Sequence, residues 1–208
     1  MEKSYVSVLL HRNIDAQRGS LMLLLLAAIF LAALTFSRNL TWTNELRLWR
    51  DTVKKSPGKS RPWNNLGRAL LADAELPRAR FAIQRAVQLD PDNFPAQVNL
   101  ALVWSRLGDL PNARRAAERA VTLRPDSVQA VFIRGEVERE AKDFQAALAW
   151  YERAQELSPH HAQVLKRLGE TLARLGRKDE ALPYLEEAWS HSQGDPELVE
   201  LLAEARKP

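Results

Sequence analysis

From Pro57 to Pro91 the chain reads PGKSRPWNNLGRALLADAELPRARFAIQRAVQLDP. Trp63, Leu66 and Leu70, then Ala79, Ile83 and Ala86, recur at helical spacing and mark two apolar stripes. A proline closes the unit, because it lacks an amide donor and turns the residue before it away from helical geometry. The same ruler then repeats: Pro57, Pro91, Pro125 and Pro159 follow one another at a constant 34-residue step without an insertion. Small residues keep the step, with Gly67, Ala101, Gly135 and Gly169 in one column. Ala79, Ala113, Ala147 and Ala181 form a second column, and Ala86, Ala120, Ala154 and Ala188 a third. Glycine and alanine at helical spacing let helix backbones approach closely.

The period predicts an all-α protein with helices over 60–73, 77–89, 94–107, 111–123, 128–141, 145–157, 162–175 and 179–192. Four units result, 60–93, 94–127, 128–161 and 162–195, with Gln193 where a fifth proline would stand. No unit buries its own face, so stability must come from stacking in an α-solenoid. Upstream, in the juxtamembrane segment 38–59, Leu46, Trp49 and Val53 fit the second helix of a half-unit. Downstream, Asp195-Pro196-Glu197 opens a capping helix over 195–208, with Leu198, Leu201, Leu202 and Ala205 as its apolar face.

Charge and composition narrow the function. The net charge of +4 is local: residues 1–59 carry +5, and residues 60–208 carry −1. A nucleic-acid-binding domain would place its basic stripe on the folded body, so no nucleic-acid partner is expected. The absence of cysteine excludes disulfides, thiolate catalysis and cysteine-ligated metals. After a short segment 1–18, the stretch from Gly19 to Ser37 carries no charge and includes Leu21 to Leu26. As a helix it spans about 28 Å, close to the hydrocarbon thickness of a bilayer. Residues 19–37 are therefore read as a transmembrane anchor rather than a cleaved signal, since Thr35-Phe36-Ser37 is a poor cleavage site. Flank charge, with five cations in 37–56 against three in 1–18, favours a cytoplasmic C-terminal domain, but that rule weakens when a long domain follows. The basic tract from Arg47 to Arg61 reads either as attraction to anionic headgroups or as a solvated helix face.

No catalytic constellation is found, and no cofactor is expected. Gly58-Lys59-Ser60 lacks the glycine of a phosphate loop at position 53, where Val53 stands. His160 and His161 form an adjacent pair in an inter-repeat turn, with His191 about 30 residues later near the end of the helix 179–192, and they are read as solvated histidines rather than metal ligands, since the pair does not complete a site. Asn39-Leu40-Thr41 is a formal glycosylation acceptor too close to the membrane to be reached. Trp49, Trp63 and Trp104 are assigned to packing.

The columns match the tetratricopeptide repeat, whose pattern runs Trp-x2-Leu-Gly-x2-Tyr, Ala-x3-Phe, Ala and Pro within each unit. Trp63, Leu66, Gly67, Leu70, Ala79, Ile83, Ala86 and Pro91 carry the resemblance best. It implies a concave groove lined by the first helix of each unit, with candidate peptide-binding residues Arg61, Asn64, Asn65, Arg68, Val98, Asn99, Leu102, Arg106, Phe132 and Arg139. The carboxylate clamp of chaperone-binding relatives would fall on Asn64, Arg68, Asn99, Gln129 and Ile133, of which only Asn99 agrees. Asn65 and Asn99 resemble instead two rungs of the asparagine ladder of glycosyltransferase-associated arrays, broken at Ile133 and Arg167. Side-chain amides suit an extended peptide backbone, and they equally suit local backbone groups.

Residues 38–71 and the chain beyond them resemble the junction and tail of bacterial relatives of transmembrane protein O-mannosyltransferases (TMTC-type). That resemblance implies a tail on the periplasmic side of the inner membrane, opposite to the flank-charge count. It carries over no catalytic residue, because the family's acidic residues lie in an upstream multi-helix membrane domain. The expected function is a membrane-anchored, non-catalytic scaffold that binds proteins or extended peptide segments. The alternative is the tail of a membrane glycosyltransferase, with that enzyme as partner.

Overall fold

The structure, a computed structural model, describes residues 22, 28–32, 35, 45–192 and 194–206. Ten helices run through 45–206, and no strand occurs among the described residues. They are α1 (Glu45–Lys55), α2 (Ser60–Ala72), α3 (Leu76–Leu89), α4 (Phe94–Arg106) and α5 (Leu110–Leu123). There follow α6 (Val128–Glu140), α7 (Phe144–Leu157), α8 (Ala162–Arg174), α9 (Lys178–His191) and α10 (Pro196–Ala205). The eight helices α2 to α9 begin and end within one residue of the bounds read from the 34-residue period.

Two compact units divide the chain, Met1–Asp51 and Thr52–Pro208. In the first, residues 28–32 are helical, and Ile29, Phe30 and Leu31 are exposed. Most of the expected anchor at 19–37 lies outside the described residues, as do segment 1–18, residues 38–44 and Gln193. Among the described residues no helix is long and apolar enough to cross a membrane.

The second unit is a stack of antiparallel helix pairs, α2 with α3, α4 with α5, α6 with α7 and α8 with α9. The first helices of neighbouring pairs also meet, α2 with α4 and α4 with α6. Close approach within each pair is set by the small-residue column. A Cβ on Gly67 would stand 2.3 Å from the Ile83 side chain, one on Gly135 2.6 Å from Tyr151, and one on Gly169 2.5 Å from Leu185. In the second pair the column holds Ala101, and the same register puts Ala117 opposite it; both are fully buried. A small residue therefore faces a large one in three pairs, and two alanines share the space in the fourth.

The turn inside each pair passes through the left-handed region at every repeat, at Ala74 (φ 57), Gly108 (φ 77), Lys142 (φ 60) and Gly176 (φ 79). The next residue caps the second helix: Asp109 accepts from the Asn112 amide and Asp143 from the Ala146 amide. Glu75 and Arg177 hold the same position without a side-chain cap. Between pairs, the Asn93 amide donates to Ser60 Oγ (2.7 Å), which donates to the Ala86 carbonyl (2.8 Å). The pairs α4–α5 and α6–α7 are joined by an ion cluster, in which buried Glu138 holds both Arg114 and Arg134. Helix α10 lays Leu198 and Ala205 against the core of the last pair.

Two substitutions test these constraints in opposite directions. Gly135→Val is expected to lower stability by about 3 kcal/mol, because the Tyr151 ring is fully buried and has no room to yield. Lys142→Gly is expected to raise stability by about 0.5 kcal/mol, since only glycine takes a positive φ without steric cost. Urea unfolding of both variants beside the parent chain measures each difference.

Candidate functional site

Helices α2 and α4 contain no carboxylate, and they present Arg61, Arg68 and Arg106 beside a set of amides. Between them lies a cavity of about 380 Å³ lined by Arg61, Asn64, Asn65, Arg68, Asn93, Pro95, Asn99 and Gln129. Asn64 is buried, and its carbonyl oxygen accepts from Asn99 Nδ2 at 2.9 Å. Its own amide reaches Asn65 Oδ1 at 3.5 Å. The three asparagines thus form one chain across two repeats, anchored at the buried end and open at the Asn65 amide. Local satisfaction accounts for Asn64 and for one donor of Asn99. Each primary amide offers more donors and acceptors than these bonds use.

Half of the sequence-derived candidates therefore gather in one place, and the others do other work. Val98 lies in the core at 5% exposure. Leu102 is half-buried, and Arg106 reaches from α4 to the Leu71 carbonyl of α2 at 3.5 Å. Phe132 packs on the Tyr151 ring with centroids 5.6 Å apart. Arg139 is bound to Glu136 and Glu140. Asn93, absent from the candidates, reaches the cavity because it is the N-cap of α4, accepting from the Ala96 amide. Its signal in the sequence is a capping residue type two positions after Pro91.

Along α6 and α8 the corresponding face is occupied by ions. Glu136 accepts from the Tyr151 hydroxyl, pairs with Arg139 at 3.3 Å and meets Arg167 at 3.2 Å. Arg167 continues to Glu170 at 2.7 Å, and Lys166 binds both Asp195 (2.7 Å) and Glu197 at the start of α10. Burial and the Glu136 carboxylate push the Tyr151 phenol far above its ordinary value. Burial works against the charge on Arg139 and Arg167, but the neighbouring carboxylates together, Glu136 and Glu140 at Arg139 and Glu136 and Glu170 at Arg167, raise both above the ordinary arginine value. One end of the array thus lines a cavity with arginines and amides and no carboxylate, while the other joins its arginines and carboxylates in ion pairs.

Two of the histidines are not isolated turn residues. His160, in the turn before α8, and His191, at the end of α9, come together with Glu187.

Comparison with known proteins agrees with the repeat reading. Residues 98–162 and 138–205 each match a family model described as a tetratricopeptide repeat. Human protein O-mannosyl-transferase TMTC3 is 30% identical over 73 residues, which is 35% of this chain and 8% of that protein's length. The chain thus spans a small fraction of the curated relative it matches. Among solved structures, TTC0263, a thermophilic TPR protein in Thermus thermophilus, is 22% identical with a TM-score of 0.67, covering 77% of this chain and 88% of its own. MamA from Desulfovibrio magneticus RS-1, from residue 41 to its end, is 18% identical with a TM-score of 0.65, covering 77% and 97%. YrrB, described as a TPR protein with an unusual peptide-binding site, is 19% identical with a TM-score of 0.62, covering 80% and 88%. At these identities the likeness is one of fold.

The Lys166 latch carries a pH dependence of known sign. The hydrogen bond from Lys166 holds Asp195 and Glu197 below their ordinary values of 3.8 and 4.5. Burial opposes the charge on Lys166, yet bonds to those two carboxylates raise it above the ordinary lysine value. Carboxylates depressed in the folded state contribute stability above their unfolded values and lose it as pH falls through the folded ones. The cap is therefore expected to stay fastened at neutral pH and to loosen below about pH 4. Amide exchange of α10 in the parent chain, against Lys166→Met, checks this: the variant should exchange faster at pH 7 and lose the acid dependence.

Proposed function

Since the chain is a tetratricopeptide-repeat protein, we propose that it is a membrane-anchored scaffold, non-catalytic in itself, that holds an extended peptide segment of a partner protein in the groove of its first two repeats. The observation that carries this reading is the cavity of about 380 Å³ where Arg61 and Arg68 flank the Asn64–Asn65–Asn99 chain. Amides pair with a peptide backbone whatever its side chains, and the two guanidinium groups favour an acidic or carboxylate-bearing stretch. The closed ion network on α6 and α8 disfavours the same mode at the other end, where a peptide would have to displace existing pairs. The occupant is an extended segment rather than a folded domain, because the cavity is a narrow one between α2 and α4, edged by Asn93 and by Gln129 of α6.

Tethering rests on the uncharged stretch 19–37 and on the exposed Ile29, Phe30 and Leu31 within it. The repeats then face the periplasm of a bacterial inner membrane, the side that the resemblance to the transmembrane O-mannosyltransferase tails supports. A second reading follows from the likeness to TMTC3: the repeats serve as the tail of a membrane glycosyltransferase whose catalytic domain lies outside these 208 residues.

Two measurements test these readings. Peptides selected on the parent chain from a random display library should lose about 30-fold in affinity for Asn65→Ala with Asn99→Ala, two hydrogen bonds of about 1 kcal/mol each. They should bind Phe132→Ala unchanged; equal binding to the asparagine double variant rejects the groove. A C-terminal alkaline phosphatase fusion in a bacterial host should be active, and a C-terminal green fluorescent protein fusion should be dark. The reverse pattern puts the repeats in the cytoplasm.

A further inference from the structure

Outside the groove, one cluster combines side chains that neither the fold nor the proposed function uses. His160 stands in the turn that follows Pro159, ahead of α8, while Glu187 and His191 stand four residues apart in the last turns of α9. One nitrogen or oxygen atom from each lies within 4.8 Å of those of the other two. His160 Nδ1 is already 2.7 Å from Glu187 Oε1, and the two imidazole centroids are 6.0 Å apart. The His160 side chain is 76% exposed and that of Glu187 39%, so both can rotate.

We propose that His160, Glu187 and His191 form a binding site for a divalent transition metal, zinc by its ligand chemistry. Two imidazoles, which are borderline donors, and one carboxylate are a set that zinc takes in three-ligand sites, with the fourth position left to water. Bonds of about 2.0–2.2 Å in tetrahedral geometry need ligand atoms roughly 3.3 Å apart. Closing from the present spacing takes side-chain rotation alone, because a separation of four residues already puts Glu187 and His191 on one face of α9. The place is electrostatically suited as well. His191 is the last residue of α9, where unpaired carbonyls carry negative partial charge and favour a cation.

Metal here would clasp the connector ahead of α8 to the end of α9, tying the last residues of the third unit to the fourth. Neither of the two histidines nor Glu187 lines the groove cavity, so the site stands whether or not a peptide binds there. His161, next in the chain and exposed, is not among the three, and it serves as an internal control.

Isothermal titration of zinc chloride into the full chain in detergent micelles tests the site. The expected result is saturation at about one zinc per chain, with His160→Ala and His191→Ala each losing at least about tenfold in affinity, a loss that even an outer-shell partner can produce. His161→Ala should bind as the parent does. Bound cobalt should give the intense visible absorption of a tetrahedral site in the parent chain and lose it in Glu187→Gln. All these side chains are at least partly exposed, so the variants fold, which their far-ultraviolet circular dichroism verifies. No saturable binding, undiminished affinity in His160→Ala with His191→Ala, or a loss in His161→Ala alone would overturn the assignment.

Discussion

Everything in the repeat array depends on how closely two helix backbones can approach within a pair. Gly67, Gly135 and Gly169 leave room that Ile83, Tyr151 and Leu185 fill, and Ala101 shares its room with Ala117. A missing Cβ on one helix is thus matched by bulk on the other in three pairs, and two small side chains meet in the remaining one. The 34-residue step is the sequence record of that spacing constraint. Successive pairs then stack, with the first helices α2, α4 and α6 side by side.

That face is divided by charge. Helices α2 and α4 bring cations and amides with no carboxylate, whereas α6 and α8 bring Glu136, Glu138, Glu140 and Glu170 along with their arginines. Where both signs are present, the side chains pair at close range; where carboxylates are missing, arginines and amides line a cavity. A surface of uniform backbone geometry acquires an open end and a closed end from side-chain composition alone. The closed end does structural work, since Lys166 reaches the first turn of α10 and holds the cap over the last pair.

The proposed groove rests on groups with bonding capacity to spare. Asn64 bonds both Asn65 and Asn99, while the Asn65 amide donates in neither bond and the residue lines the cavity. Tyr151 has none to spare: its ring fills the space opposite Gly135, and its hydroxyl is bound to Glu136. The same accounting separates Arg61, which borders the cavity, from Arg139, whose guanidinium is bound to two carboxylates.

The helix pairs and their bounds are legible along the chain, because each rests on local terms: helical periodicity, proline stops and small-residue columns. Register also marks the asparagines and arginines of the first two units. Which of them share a cavity is settled by packing. Val98 stands one position from Asn99, yet it turns into the core, and Phe132 is taken up by a ring on the following helix. The meeting of His160 with Glu187 and His191 is equally hidden from a linear reading, since it depends on where a turn comes to rest against the far end of another helix. Periodicity reports which face a residue occupies; contacts between elements that lie far apart in sequence are fixed only when the helices pack.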